Sequence, residues 1–260
     1  MARTHVITGA ASGIGLATRE LLEQRGDRVI GVDLHDTDVV ADLTTADGRA
    51  SMVADVEQLA GGRIDAIHAV AGLALPVPAT VAVNYFGMRA TLEGLRPLLA
   101  GSPAPRAVAV SSMASLMPLD DELVALLTSG DEPAAMARAE VLGVDPATTG
   151  GLIYSSTKKA IAQWIRRTAP TAEWAGAGIP LNAVAPGIIA TPMTADFTST
   201  PEAREGILQM VPMPLNGIAE AVVVANLLAW LASEENTHLC GQVVFVDGGS
   251  DVVIRGDSTW

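Results

Sequence analysis

A glycine-rich turn near the N-terminus constrains the fold more than any other feature of this sequence. An apolar run at residues 5–8 leads into Gly9-Ala10-Ala11-Ser12-Gly13-Ile14-Gly15, and a helical pattern follows over residues 13–24. Glycines between a strand and a helix let the backbone approach a pyrophosphate, which the helix N-terminus then stabilises. The pattern therefore predicts a dinucleotide site at this turn. A P-loop is excluded, because no Lys-Ser or Lys-Thr pair follows Gly15.

The alternation of apolar runs and helical patterns continues along the chain. Strands are predicted at residues 5–8, 28–33, 39–41, 67–70, 107–111, 180–184 and 243–246. Helices are predicted at residues 13–24, 46–59, 83–99, 152–174 and 219–232. Most of the strands lack in/out alternation, as is typical of strands buried on both faces of a parallel sheet. We expect an α/β fold: one Rossmann-type domain over residues 1–260, with a doubly wound parallel sheet of about seven strands and helices on both faces.

Two segments interrupt this alternation of strands and helices. Residues 116–151 form a long acidic insert with the pattern of two short helices. The insert is either a functional segment, such as a lid, or a surface elaboration or oligomer contact. Residues 193–217 are rich in Met, Pro and Thr, and no strand fits them. Because long loops in compact domains are often functional, we interpret residues 193–217 as a substrate lid.

The amino-acid composition argues against several classes of binding partner and site. Asp plus Glu total 29 against 16 Lys plus Arg, so the net charge is -13, which disfavours binding to nucleic acid or anionic membrane surfaces. The single cysteine, Cys240, excludes an intrachain disulfide, and the four histidines lack metal-ligand spacing, so no metal site is predicted. No signal-peptide pattern opens the chain, and the apolar stretch at residues 221–232 is shorter than the ~20 residues of a membrane span. We expect a cytoplasmic protein.

Two aspartates indicate which dinucleotide is bound. Asp33 ends the second predicted strand about 20 residues after the glycines, where a carboxylate accepts hydrogen bonds from the adenine ribose and repels a 2′-phosphate. No Arg or Lys stands at Ser12, Leu34 or His35 to bind such a phosphate, so the expected cofactor is NAD(H). Asp42 follows the third strand and either contacts the adenine amino group or serves only in a turn.

A tyrosine and a lysine form the chemical motif. Tyr154 and Lys158 stand four residues apart at the start of a predicted helix, so their side chains share one face. The chain has two tyrosines and two lysines, which makes the chance of such a pair roughly 1.5%. A probability this small favours a functional Tyr154–Lys158 pair over a coincidental one.

Together these features resemble the short-chain dehydrogenase/reductase family over residues 6–249. Further marks are Ser112, Asn84 in VNYFG, Asn-Ala-Val-Ala-Pro-Gly at residues 182–187, Thr191 and the late FVDGG. The sequences VDLHDTDVVADLTTADGR and VSSMAS, with the long insert before Tyr154, make the chain most similar to the bacterial 3α-hydroxysteroid dehydrogenase/carbonyl reductase group. The chain departs from the family pattern at Ala69-Val70-Ala71-Gly72, where Asn-Asn-Ala-Gly is usual.

The resemblance implies a role for each matching residue. Tyr154 is expected to be the general acid/base, with its pKa lowered by Lys158 and the oxidised nicotinamide. Ser112, with Ser111 as the alternative, is expected to hold the substrate oxygen, and Asn84 a water that relays protons. The cofactor contacts implied are Gly9, Ser12, Gly13, Ile14, Gly15, Asp33, Asp42, Leu43, Ala71, Gly72, Tyr154, Lys158, Pro186, Gly187, Ile189 and Thr191.

The substrate is expected to be apolar. Beside Ser112, the lid residues Met193, Phe197 and Met210 suit a hydrophobic alcohol or ketone of steroid or alicyclic type. The alternative is that several of the apolar lid residues only pack the loop onto the body. The expected activity is NAD-dependent interconversion of a secondary alcohol and a ketone in a homodimer or homotetramer. The alternatives are a dehydrogenase for a cyclic terpenol, a dione or a sugar alcohol, and a non-catalytic NAD(H)-sensing regulator.

Overall fold

The structure, a computed structural model, describes residues 2–258 and is built around one parallel sheet. Its strands are β1 (Thr4–Thr8), β2 (Arg28–Asp33), β3 (Val39–Val40), β4 (Ala66–Ala69), β5 (Arg106–Val110), β6 (Leu181–Pro186), β7 (Ile189–Ala190), β8 (Ala219–Glu220) and β9 (Val243–Val246). The sheet has the order β3-β2-β1-β4-β5-β6-β9, and β7 pairs with β8 in a separate ribbon. The predicted fold class is confirmed.

The strand order reverses between β1 and β4. On one side of β1 the residue Thr8 pairs with Val32, and on the other side it pairs with Ala69. In parallel sheets of this kind, ligands bind in the crevice outside the carboxyl ends of the strands at such a reversal. The topology therefore places a ligand site where the glycine-rich turn begins.

Helices cover both faces of the sheet. They are α1 (Gly13–Gln24), α2 (Ala46–Ala60), α3 (Pro78–Val81), α4 (Met88–Leu95), α5 (Asp121–Ser129), α6 (Glu132–Gly143), α7 (Gly150–Thr168), α8 (Ala195–Thr198), α9 (Pro201–Met210), α10 (Ala221–Leu231) and α11 (Ser250–Arg255). Helices α1 and α10 pack together on one face. The largest core cluster includes residues of α2, α4 and α7 and forms the opposite face.

Three predicted helix bounds were wrong. The helix expected at residues 83–99 is interrupted: a wide turn with π-type hydrogen bonding, Ala82–Gly87, precedes α4, and a 3₁₀ turn, Arg96–Gly101, follows it. The helix expected at residues 152–174 ends at Thr168, because Pro170 lacks the N–H that would continue the ladder. The helix expected at residues 219–232 begins at Ala221, since the two residues before it pair with β7.

The two segments that interrupt the alternation of strands and helices both contain helices. Residues 116–151 hold α5 and α6, as the pattern predicts, and both begin with an aspartate cap, Asp120 and Asp131. Residues 193–217 hold α8 and α9, which the sequence did not reveal. None of the helices within residues 2–258 has the length and apolar character that a bilayer crossing requires.

Candidate active site

A cleft in two joined compartments lies at the carboxyl ends of the strands. The first encloses about 760 Å³, including its open mouth, and extends from the glycine-rich turn to Tyr154 and Met193. The second encloses about 680 Å³ and extends over the ends of β2 and β3. Gly9, Ser12, Ala71 and Gly72 line both compartments, so the two form one elongated site. Its size and division suit a ligand with two bulky ends.

The glycine-rich turn forms the floor of the first compartment. A Cβ on Gly9 would lie 2.9 Å from Ala71 Cα, and a Cβ on Gly15 would lie 2.0 Å from the Gly9 carbonyl oxygen. The first N–H groups of a helix lack intrahelical partners, and the residues that carry them in α1, Gly13, Ile14 and Gly15, all line the cleft. A bare backbone edge of this type can accept a pyrophosphate.

Asp33 connects this turn to the second compartment. One carboxylate oxygen accepts from the Ala11 N–H at 2.9 Å, and the other accepts from the Leu34 N–H at 2.7 Å. Each carboxylate oxygen has a second lone pair, so Asp33 can also accept from a ribose diol. The carboxylate is thus fixed in place by backbone amides at the end of β2.

The second compartment is acidic. Among the described residues that line it, the charged side chains are Asp33 and Asp42. The Asp42 carboxylate accepts from the Thr44 N–H at 2.9 Å and from the Thr44 hydroxyl at 2.6 Å, and these hydrogen bonds lower its pKa. Leu43 lines the compartment beside it. The turn role considered for Asp42 is therefore present, and its carboxylate also borders the compartment.

Tyr154 and the two serines meet at the first compartment. Tyr154 lies in the second turn of α7, and Ser112 follows the end of β5; both line the cleft. Burial raises the pKa of the Tyr154 phenol, while the Ser112 hydroxyl lowers it. The Ser111 hydroxyl is buried and donates to the Lys158 carbonyl at 2.9 Å. The two serines therefore differ: the Ser112 hydroxyl lowers the pKa of the phenol, whereas the Ser111 hydroxyl is bonded to the backbone of α7.

Lys158 lies beside the phenol. Its Nζ is 5.4 Å from the centre of the Tyr154 ring and donates to the Val110 carbonyl at 2.9 Å. The residue is 3% exposed, and burial lowers its pKa to about 8. The lowered phenol pKa expected from the resemblance is not found within the protein chain alone, because burial, which raises the pKa of Tyr154, outweighs the Ser112 hydroxyl, which lowers it. That expectation also included the charge of an oxidised nicotinamide.

Asn84 lies behind Lys158 in the wide turn that precedes α4. Its amide oxygen accepts from the Leu73 N–H at 2.7 Å, and its amide nitrogen donates to the Leu73 carbonyl and to the Thr157 hydroxyl. A Cβ on Gly72 would lie 3.3 Å from Asn84 Oδ1 and 3.7 Å from Lys158 Nζ. The bare Gly72 backbone therefore leaves space between these two groups.

A loop after β6 closes the far wall of the first compartment. Pro186, Gly187, Ile189 and Thr191 all line it. The Thr191 N–H donates to the Thr194 hydroxyl at 3.1 Å, and the Thr194 hydroxyl donates in turn to the Ile189 carbonyl. The wall is thus held by its own side chains in a fixed shape.

Comparisons with known proteins agree with this geometry. A family profile described as enoyl-(acyl carrier protein) reductase matches residues 9–251. The 3-alpha-hydroxysteroid dehydrogenase/carbonyl reductase of Comamonas testosteroni is 36% identical over 255 residues, which cover 96% of this chain and 97% of that protein. The chain belongs to the short-chain dehydrogenase/reductase family. It is therefore an oxidoreductase of a family whose members use NAD(H) or NADP(H).

Two further relatives have related chemistry. The crystal structure of the 3-alpha-hydroxysteroid dehydrogenase from Pseudomonas sp. B-0831, complexed with NADH, has a TM-score of 0.88 and 37% identity, covering 98% of this chain and 99% of that one. The cis-4-hydroxycyclohexanecarboxylate dehydrogenase of Sinomonas cyclohexanicum is 30% identical, covering 96% and 97%. The resemblance to the hydroxysteroid dehydrogenase group is confirmed.

The backbone at the departure from the family pattern is held by Thr8. At the position of the usual asparagines, the Thr8 hydroxyl accepts from the Val70 and Ala71 N–H groups at 3.1 and 3.2 Å. Thr8 and Thr194 were not among the site residues predicted from the sequence. A Thr-Pro-x-Thr pattern at residues 191–194, of the kind that caps a helical turn, could have revealed Thr194.

The lid contributes less to the cleft than predicted. Met193 lines the first compartment. Phe197 and Met210 are not among the residues that line either compartment, and they are 49% and 64% exposed. The reason is that α9 and the residue after it pack onto the body through other apolar residues, Ile207 and Val211. The structure therefore brings together all the predicted cofactor residues, Ser112 and Met193 along the cleft, whereas Asn84, Phe197 and Met210 do not line it.

Proposed function

We propose that this protein is an NAD-dependent oxidoreductase that interconverts a secondary alcohol and a ketone on an uncharged, hydrophobic substrate. The observation that carries the proposal is the convergence of Ser112, Tyr154 and Lys158 in the same cleft as the glycine-rich turn. The turn and Asp33 fit one end of a dinucleotide, and the loop after β6 fits the other. Bound NAD(H) supplies the hydride chemistry.

The side chains provide the proton chemistry. The Ser112 hydroxyl holds the substrate oxygen, and the Tyr154 phenol gives it a proton in reduction or removes one in oxidation. Burial keeps the phenol protonated at neutral pH within the protein alone. The Lys158 ammonium favours the phenolate and so helps Tyr154 to act as a base, and the positive charge of an oxidised cofactor would add to this effect.

The preference for NAD(H) over NADP(H) is argued from charge. Asp33 is fixed at the end of β2, Asp42 lies nearby, and the described lining of this compartment contains no basic side chain. A 2′-phosphate there would meet two carboxylates without a compensating cation.

The substrate class follows from the same reasoning. Among the described residues that line the first compartment, Lys158 is the basic one, and its ammonium is bonded to the Val110 carbonyl. In the lid, Arg204 donates to the Thr198 carbonyl. Met193, Pro192 and Ile189 give the mouth apolar surface. We therefore favour an uncharged steroid or alicyclic compound over a carboxylated or phosphorylated one.

An assay of NAD⁺ reduction tests the proposal, with NADH absorbance as the readout. A 3α-hydroxysteroid without a carboxylate, a small alicyclic alcohol, cis-4-hydroxycyclohexanecarboxylate and a sugar alcohol are compared, each with NAD⁺ and NADP⁺. We expect turnover of the uncharged apolar alcohols with NAD⁺. Preference for the carboxylate or for NADP⁺ would contradict the proposal, and NADH binding without turnover of any alcohol or carbonyl compound would favour the sensor alternative.

We also propose a homodimer. The insert helices α5 and α6 bury Leu123, Leu127 and Ala139 in one cluster with Ile161 of α7, so they cover the outer side of α7. That covering leaves other surfaces for association. A cytoplasmic location stays a prediction from the sequence.

A further inference from the structure

The turn of α7 that carries Tyr154 receives little support from its own sequence. The helix begins with Gly150 and Gly151, and glycine is among the poorest helix formers. The Thr149 hydroxyl, at the capping position, donates to the Leu142 carbonyl at 2.6 Å and so does not serve the helix N–H groups. The position of Tyr154 therefore depends on contacts from outside the helix.

The insert at residues 116–151 supplies such contacts on both sides of Tyr154. Ser156 is fully buried, and its hydroxyl accepts from the Asp120 N–H at 2.9 Å. Ile153 is also fully buried, in the same core cluster as Leu123 and Leu127 of α5. The residue before Tyr154 and the second residue after it are thus both fixed against the insert.

Asp120 is itself held firmly. Its carboxylate accepts from the Leu123 N–H at 2.7 Å, which caps α5. It also accepts two hydrogen bonds from the Arg138 guanidinium of α6, at 2.6 and 3.1 Å. Charge-assisted bidentate pairs of this kind fix geometry as well as adding stability. A continuous chain of contacts therefore runs from α6 through Asp120 to Ser156.

We infer that the insert is a brace for the general acid/base, with Arg138, Asp120 and Ser156 as positioning residues for Tyr154. The inference rests on the proposed function, in which Tyr154 transfers the proton. It gives the insert a catalytic purpose that a surface elaboration or a simple oligomer contact would not have. Small misplacement of a reacting group lowers the rate strongly while leaving substrate binding in place.

Three variants test the brace. Ser156→Ala removes the hydroxyl that accepts from the Asp120 N–H. Arg138→Gln removes the charge of the guanidinium that donates to the Asp120 carboxylate. Glu132→Gln is the matched control: Glu132 lies in the same insert, but it pairs with Arg49 of α2 at 2.8 to 2.9 Å. Amide hydrogen exchange over residues 150–158, kcat and KM are measured for each at saturating NAD⁺.

We expect kcat to fall about tenfold in Ser156→Ala and Arg138→Gln, with KM changed less than about threefold and faster exchange over residues 150–158. Glu132→Gln should lower the melting temperature and leave kcat unchanged. Equal losses of kcat in all three variants would overturn the inference, as would wild-type exchange in Ser156→Ala. Exchange needs no turnover, so this failure is distinct from failure of the proposed function, which would appear as turnover that survives Tyr154→Phe.

Discussion

The two adjacent serines after β5 have separate tasks at the residue scale. The Ser112 hydroxyl lowers the pKa of the Tyr154 phenol. The Ser111 hydroxyl donates to the Lys158 carbonyl, and Lys158 Nζ donates to the Val110 carbonyl. We expect Ser112→Ala to lower kcat by roughly 10²- to 10³-fold, the usual loss for a donor to a reacting oxygen. Ser111→Ala should cost about tenfold or less. Steady-state kinetics of both variants would reverse the assignment if Ser111→Ala proved the more damaging.

The buried Lys158 ammonium lowers the stability of the fold, although the proposed reaction requires it. Its pKa is about 8 in the fold and about 10.4 in an unfolded chain, so between these values the unfolded chain binds more protons and the fold gains stability as pH rises. Below pH 8 the buried ammonium carries its full penalty. We expect Lys158→Met to raise the free energy of unfolding by about 1–3 kcal/mol at pH 7, reduced by the unpaired Val110 carbonyl, and to abolish turnover.

Thermal unfolding of both proteins as a function of pH measures this difference in stability. The gain of Lys158→Met over wild type should shrink as pH rises from 8 and vanish near pH 10, where the lysine is neutral in both states. A destabilised Lys158→Met protein at pH 7 would contradict the account.

Sequence reasoning succeeded for residues that a backbone pattern fixes. Spacing predicts that the glycines and Asp33 lie at strand ends and that Tyr154 and Lys158 share a helix face. The resemblance to the family predicts that the two groups belong to one site. It did not find Thr8, because the contact between its hydroxyl and Val70 depends on the pairing of β1 with β4, 62 residues apart. It placed Phe197 and Met210 in the site from apolar character, which cannot distinguish a lining residue from an exposed one.

The strand–turn–helix unit of β1 and α1 is the element on which cofactor binding depends. A Cβ on Gly15 would lie 2.0 Å from the Gly9 carbonyl oxygen, so Gly15→Ala must displace the turn from the helix. We expect a loss of roughly 1–3 kcal/mol in unfolding free energy, as for other overpacked positions, and at least about tenfold weaker NADH binding.

Gly206→Ala is the control for this change. A Cβ there meets nothing within 4 Å, and Gly206 lies inside α9, so alanine should be neutral or slightly stabilising. Denaturant unfolding and NADH fluorescence titration compare the variants. Wild-type NADH affinity in Gly15→Ala would refute this account of the turn.

At the element scale the sequence predicted the sheet well and the irregular parts poorly. Most strands of the main sheet lack a strict alternation of apolar and polar residues, which signals burial on both faces. The ribbon of β7 and β8 has two residues in each strand, and its pairing of Ile189 with Ala219 depends on how the chain between them folds. The wide turn at Ala82–Gly87 is likewise set by its packing around Asn84.

At the scale of the whole molecule, the insert covers one side of α7 and so limits the surfaces through which two chains can associate. Since the same helices that brace Tyr154 occupy this face, we expect association through another surface. Sedimentation equilibrium should give twice the 26.7 kDa mass of one chain. A stable species of four chains would show that the covered face does not limit assembly.

The central claim, that Tyr154 transfers the proton in an NAD-linked alcohol–ketone reaction, is tested most directly by Tyr154→Phe. Turnover is followed by NADH absorbance with the best alcohol of the assay panel, and NADH binding by fluorescence titration. We predict that kcat falls by about 10²- to 10⁴-fold, the usual worth of a general acid/base, while the NADH Kd stays within a few-fold of wild type. Near wild-type turnover in Tyr154→Phe would contradict the account.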